Sequence, residues 1–186
     1  LFLMIRPPPR SPPFPYQPLF RSKLLRGAGV NRISMGVQSL DAGLLERLGR
    51  VHSREMVFKS YDCLRAAGFE RINLDLMFAI PSQTMEIWQA SLRETADLGP
   101  DHLSCYEVIY EQDTPLYDQL QAGEFEVHED LACDMFEELV AFAGERGFHQ
   151  YEVANFARHS GRVDFEIPSE ACRHNINYWR SGDYHG

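Results

Sequence analysis

Apolar and polar residues alternate strictly along Arg32-Ile33-Ser34-Met35-Gly36-Val37-Gln38, which is the period of a β-strand. A second strand reads Arg71-Ile72-Asn73-Leu74-Asp75-Leu76-Met77-Phe78 and a third His102-Leu103-Ser104-Cys105-Tyr106. Between these runs the apolar spacing lengthens to that of a helix. Asp41 to Leu48 reads as a short helical turn closed by Gly49. Ser53 caps a helix carrying Val57, Tyr61 and Leu64 that ends at Gly68, and Thr84 caps another carrying Trp88, Leu92 and Thr95 that stops at Gly99-Pro100. Glu111 to Pro115 reads as a turn. A third helix, from about Asp130 to Arg146, buries Leu131, Met135, Leu139 and Phe142 and stops at Gly147. His149 to Phe156 then reads as one further strand. Strands separated each time by a helix predict βαβ units around a parallel sheet, an α/β fold.

The faces of the strands say more than the strands. One face of each is apolar: Ile33, Met35 and Val37, then Ile72, Leu74 and Leu76, then Leu103 and Cys105. The other carries Ser34, Gly36 and Gln38, then Asn73 and Asp75, then His102, Ser104 and Tyr106. Helices normally cover a parallel sheet on both sides and make both faces apolar. A polar face on three successive strands points to the inside of a curved sheet that holds a polar ligand, or to a wet, hydrogen-bonded barrel core. Ile80 to Thr84 follows the second strand, where barrel folds place ligand contacts. Arg50 lies beyond the helical turn after the first strand; it either clamps a carboxylate or is a surface arginine.

Residues 1–22 break the pattern. They hold seven of the eleven prolines, three arginines and no acidic residue. Such proline density opposes helix and sheet alike, and the stretch resembles a translation of sequencing-adapter DNA rather than native protein. On that reading the native N-terminus is missing. The 186 residues carry a net charge of −9, concentrated beyond this stretch, which argues against nucleic-acid partners. No apolar run approaches the ~20 residues of a membrane-spanning helix and none has the build of a secretory signal, so the expected setting is cytoplasmic. Cys63, Cys105, Cys133 and Cys172 form no close pair; reduced, mostly buried thiols are expected, and no metal site. The tail, Cys172-Arg173-His174-Asn175-Ile176-Asn177-Tyr178-Trp179, places an imidazole beside aromatic rings. Such a group suits a flat, iron-bearing ligand, although a single histidine is more often a satisfied surface or core group.

The segments RISMGVQSLDAGLLERLGRVH, GFERINLDLMFAIPSQT, LGPDHLSCYEVIYEQDTP, YEVANFAR and CRHNINYW occur here in that order. Together they resemble the middle and later part of a radical S-adenosylmethionine protein of the oxygen-independent coproporphyrinogen III oxidase-like family. YEVANFAR and H-N-x-x-Y-W favour its heme-chaperone (HemW-type) branch. The resemblance implies part of a (βα)-type barrel of parallel strands with outer helices over residues 23–157. A linker and the start of a C-terminal region would occupy 158–186, with a local insertion at Ser160 to Ala171. It implies S-adenosylmethionine contacts at Gln38, Arg50, Asp75 and Ile109. It implies heme contacts at His174, Asn175, Tyr178 and Trp179, with heme-accepting proteins as further partners. The family's [4Fe–4S] cluster is held by a cysteine motif upstream of everything in this sequence, so the cluster is expected of the full-length protein only. Three other readings stand beside the chaperone. They are a coproporphyrinogen III dehydrogenase, a metal-dependent barrel hydrolase using Asp75, His102 and His174, and a non-catalytic scaffold.

Overall fold

The computed structural model describes residues 17–161 and 166–183. In chain order the elements are α1 (Gln17–Gly27), β1 (Arg32–Gln38), α2 (Ala42–Arg47), α3 (Arg54–Ala66), β2 (Arg71–Phe78) and α4 (Met85–Asp97). They continue with β3 (His102–Glu107), α5 (Pro115–Gln121), α6 (Glu129–Glu145), β4 (Phe148–Gln150), β5 (Asn155–Arg158) and α7 (Arg173–Trp179). Side-chain caps start the helices where the sequence places them. Asp41 accepts the Leu44 N–H, Ser53 that of Met56 and Thr84 that of Ile87. Gly68 takes φ +87° just past α3, a conformation that a residue with a Cβ adopts only under strain.

The sheet order is β1-β2-β3-β5-β4. β1, β2 and β3 run parallel, with Ser34 opposite Asn73, Gly36 opposite Asp75, Asn73 opposite His102 and Asp75 opposite Ser104. The apolar face packs on the helices as the alternation demands. Val37, Ile72, Leu74, Leu76, Leu103 and Cys105 meet Val57, Tyr61, Leu64, Trp88, Leu92, Met135 and Leu139 in one core. Each fully buried aliphatic side chain there contributes about 1.5–3 kcal/mol. Trp88 is completely buried, and its indole N–H donates to the Met135 carbonyl at 2.9 Å, tying α4 to α6. Leu131 and Phe142 sit at the core's margin, while Ala132 and Ala143 take the buried positions.

The structure corrects the sequence reading in four places. Residues 149–156 are not one strand: β4 and β5 form a hairpin, and β5 lies antiparallel to β3, with Leu103 opposite Phe156. The reversal is made by Glu152, whose carboxylate accepts the Ala154 N–H and the Asn155 side-chain amide. A helix, α5, follows the turn at Glu111; Thr114 caps it and Pro115 opens it, where a missing N–H costs nothing. α1 begins at Gln17, inside the stretch set apart by its prolines; Pro18 falls in its first turn and Ser22 is buried. Residues 1–16 lie outside the described residues, as do 162–165 within the expected insertion. Lastly, all four cysteines are free as expected, but of them Cys105 alone is buried; Cys133 stands exposed on α6.

Candidate functional site

The polar sides of the parallel strands form a connected hydrogen-bond network. Asn73, 3% exposed, sits at its centre. Its amide nitrogen donates to Ser34 Oγ at 2.7 Å and to Asp75 Oδ1 at 2.6 Å. Its carbonyl faces His102 Nδ1 at 2.6 Å and Ser104 Oγ at 3.2 Å. Ser34 donates in turn to the Asp75 carboxylate, 3.1 Å from each oxygen. His102 Nε2 lies 2.7 Å from the Tyr151 hydroxyl, which also accepts the Cys172 N–H at 3.1 Å. Ser104 reaches Asn155 Oδ1 at 2.7 Å, and the Asn155 amide donates to Glu152.

Burial sets the charge states. It drives the His102 pKa down to about 3, assisted by the nearby Arg32 charge, so the ring is neutral. Burial pushes the Asp75 carboxyl up from its ordinary value, against the hydrogen bonds from Ser34 and Asn73 that favour the charged form. Tyr151 is pushed up to about 12, again chiefly by burial.

The two ends of this face differ. At the base, where the strands start, the segment leading into α7 is tied down. Arg71 Nε meets the Glu170 carboxylate at 3.0 Å and Arg32 donates to the Glu170 carbonyl at 3.2 Å. The Glu170 N–H bonds to the Arg158 carbonyl at 3.1 Å. At the opposite rim the backbone is irregular. Gln38 and Ala79, each just past or ending a strand, take φ +64° and +56°, and β1 bulges between Gly36 and Gln38. A Cβ on Gly36 would lie 2.7 Å from Gln38 Nε2, so the glycine lets the Gln38 amide fold back over the position opposite Asp75. His52 donates to the Val37 carbonyl at 3.0 Å and holds the loop that carries Arg50 against this rim. A cleft of about 410 Å³ opens beside it, between residues 79–84 after β2, residues Glu107 to Tyr110 after β3, and residues 125–131. Gln83 is buried in that loop, its carbonyl accepting the Ile80 N–H at 3.2 Å.

Of the residues expected to contact S-adenosylmethionine, Gln38 and Asp75 therefore lie on neighbouring strands of the polar face. Arg50 is exposed on its rim loop, and Ile109, 75% exposed, follows β3. Asp75 is partly open to solvent. It receives two protein donors, and a carboxylate can accept about four hydrogen bonds, so it has capacity for a ligand hydroxyl. That donor set fits the cofactor. The cysteines do not fit an iron–sulfur cluster: they stand on α3, β3, α6 and the start of α7, and the described residues hold no group of three potential metal ligands. No radical step is assigned to them. The hydrolase reading fails on the same ground, because both ring nitrogens of His102 are committed and His174 is exposed on a separate helix.

On α7, His174 and Tyr178 are one helical turn apart, as are Asn175 and Trp179, so the two pairs lie side by side. His174, Tyr178 (53% exposed) and Trp179 (66%) are accessible, and the two aromatic rings meet edge to face at 5.9 Å. This cluster can receive a planar ligand. Tyr151 and Asn155, which complete the polar network, escaped the sequence reading; both lie in YEVANFAR, whose single-strand interpretation hid the turn that brings them to β3.

Residues 20–95 match the family model described as the Radical SAM superfamily. That span contains β1, β2, Gln38, Arg50 and Asp75. The chain is 37% identical over 165 residues to heme chaperone HemW of Bacillus subtilis, covering 88% of this chain and 41% of that protein. It is 38% identical over 160 residues to radical S-adenosyl methionine domain-containing protein 1, mitochondrial, of Danio rerio, covering 86% of this chain and 34% of that protein. Among solved structures it is similar to the coproporphyrinogen III oxidase (HemN) of Escherichia coli, described as a radical SAM enzyme. The TM-score is 0.67 at 27% identity, over 75% of this chain and 32% of that one. The chain thus spans well under half the length of these relatives.

Proposed function

We propose, from the match of residues 20–95 to the family model described as the Radical SAM superfamily, that the polar sheet face binds S-adenosylmethionine and that the chain is part of a heme chaperone. The observation that carries the cofactor reading is Asp75, a half-buried carboxylate with unused acceptor capacity on the inner face of the parallel sheet. It would accept from ribose hydroxyls. Arg50 would pair with the methionine carboxylate, Gln38 would meet polar atoms at the rim, and Ile109 would add an apolar contact. In the superfamily, S-adenosylmethionine bound at a reduced [4Fe–4S] cluster is the source of a deoxyadenosyl radical. The residues here supply binding and orientation, not the cluster.

Heme would be taken by α7, with the His174 imidazole meeting iron and Asn175, Tyr178 and Trp179 contacting the macrocycle. The identity to heme chaperones supports this assignment. A heme-accepting protein would then be the downstream partner. Four unpaired cysteines suit a reducing compartment, and we place the protein in the cytoplasm. The likeness to a coproporphyrinogen oxidase favours a second reading, oxidative decarboxylation of a porphyrinogen.

Calorimetry and heme titration test both sites. Asp75→Ala should weaken S-adenosylmethionine binding by about ten- to a hundredfold, the loss of one charge-assisted contact. His174→Ala should shift or abolish the Soret band of bound heme. Equal cofactor affinity in wild type and Asp75→Ala removes the proposed cofactor site. An unchanged heme spectrum in His174→Ala, with porphyrinogen turnover by a chain carrying the cluster, moves the assignment to the oxidase.

A further inference from the structure

The polar network has a direction, because two of its members can only accept once ionised. Asp75 receives both the Asn73 amide and the Ser34 hydroxyl. The Asn73 NH₂ group must therefore face Asp75, and its carbonyl must face His102 and Ser104. A carbonyl 2.6 Å from His102 Nδ1 requires a proton on that nitrogen. His102 is neutral, so Nε2 carries none and must accept from the Tyr151 hydroxyl 2.7 Å away. With its proton committed to His102, Tyr151 has a lone pair left for the Cys172 N–H, and that is where the Cys172 N–H points. The side branch obeys the same logic. Glu152 takes the Asn155 amide, which turns Asn155 Oδ1 toward Ser104, and Ser104 donates to it at 2.7 Å.

We propose that Asn73, His102 and Tyr151 are positioning residues through which Asp75 on the sheet and the tail segment at Cys172 hold each other in place. Neither His102 nor Tyr151 hydrogen-bonds to Asp75. Each is oriented by its neighbour, and each has its donor and acceptor used. The chain crosses the base of the polar face and ends at the residue preceding α7, the helix that carries His174. The segment between is fastened to the same base by Arg32 and Arg71. Freeing the tail would remove the N–H that fixes the Tyr151 hydroxyl and so weaken the restraint on His102 and, through it, on the Asn73 carbonyl. The Asn73 amide would then be held less firmly on Asp75. The consequence for the cofactor rests on the reading of Asp75 given above; the link itself does not.

The first test needs no variant. Nitrogen-15 NMR of the imidazole should place the His102 proton on Nδ1. A proton on Nε2 would reverse both bonds at His102 and overturn the proposal. The second test is a double-mutant cycle between Asn73→Ala and Tyr151→Phe, two residues joined only through His102 in the hydrogen-bond chain. Hydrogen exchange at the Cys172 amide is read against the Leu74 amide in the core. Each single variant should speed Cys172 by about tenfold, and the double variant by no more than either alone. Additive effects, about a hundredfold in the double variant, refute the link. If Asn73→Ala fails to fold, His102→Gln takes its place in the cycle. S-adenosylmethionine calorimetry separates the two claims. A correct tautomer and a non-additive cycle without cofactor binding sink the functional reading alone. Cofactor binding that needs Asp75, with an additive cycle, sinks the link alone.

Discussion

Arg65 on α3 is the residue whose loss should tell most about how the sheet is held. Its guanidinium donates to five acceptors: the Tyr61 hydroxyl at 2.9 Å, the carbonyls of Phe69, Glu70 and Gly99 at 3.1, 2.6 and 2.7 Å, and the Asp101 carboxylate at 2.9 Å. Apart from Tyr61, on α3 itself, those acceptors lie in the turns that lead into β2 and β3. One planar fork therefore fixes the start of both strands, and Asp101 adds a bond to the Ile72 N–H at 3.1 Å. At face value, five charge-assisted bonds of about 1.5–3 kcal/mol each would exceed ~7 kcal/mol. That sum is too large, because the Arg65 and Asp101 side chains are 31% and 24% exposed and water replaces part of what is lost. Arg65→Met keeps the aliphatic stem against the Tyr61 ring and should cost about 2–4 kcal/mol. For a chain of this length that lowers the melting temperature by roughly 5–15 °C. Arg65→Lys should recover less than half, since an ammonium is a point charge that cannot span both turns. Thermal unfolding followed by far-ultraviolet circular dichroism reads the effect. A Met variant melting within about 2 °C of wild type would show that the fork is ornamental and that packing alone sets the strand starts.

Two further outcomes follow from the charge states and exposures. His102 has its pKa lowered from 6.5 to about 3 on folding, so its contribution is present in full above 6.5 and is lost as pH falls toward 3. The slope is at most about 1.4 kcal/mol per pH unit. Asp75, raised by burial, acts in the opposite sense above its ordinary value, so urea unfolding of His102→Gln against wild type isolates the histidine; parallel stability curves from pH 6.5 to 4 would contradict its neutral burial. Under a limiting maleimide reagent read by mass spectrometry, Cys133 should label first and Cys105, buried and with its thiol pushed up, only on unfolding; early labelling of Cys105 would place it outside the core.

Much of this architecture was readable because local signals agreed. Ser53, Thr84 and Asp41 cap where the apolar period changes, and alternation over residues 32–38, 71–76 and 102–105 marks three strands whose apolar faces pack on the core. The hairpin was not readable. Its turn at residues 151–154 contains neither glycine nor proline, and its mix of aromatic, β-branched and polar residues suits a strand as well as a turn. What reverses the chain is the Glu152 carboxylate bonding to residues just beyond it, a contact that composition does not announce. α5 was within reach, since Thr114-Pro115 is a helix start, but seven residues give too short a period to separate from a turn. The centrality of Asn73 lay out of reach for a different reason. Which polar residues share a layer depends on the register between strands separated by tens of residues, and that register is set by the packing of the opposite face.

That register also decides between the two meanings of a polar strand face. The layer nearest the base holds Ser34, Asn73 and His102 side by side. Asn73 and His102 are buried, every polar atom there has a partner, and Tyr151 seals the layer against the tail. It is a polar core, and such a core stabilises only while it is completely paired. One layer up, Gly36, Asp75 and Ser104 stand in register. Ser104 is still buried and paired with Asn155, but Gly36 is exposed and Asp75 is half-open. Beyond that come Gln38 with its left-handed backbone and Tyr106, 43% exposed. The face thus passes from saturated to unsaturated along the strands, over two residue pairs or about 13 Å at a rise near 3.3 Å per residue. A carboxylate placed at that boundary is oriented from below by fixed donors while its remaining lone pairs face the rim. This is the geometry the proposed cofactor site needs from a rigid sheet, and on that proposal the hydrogen-bonded core and the ligand-binding face, rival readings of one pattern, would occupy consecutive layers of it.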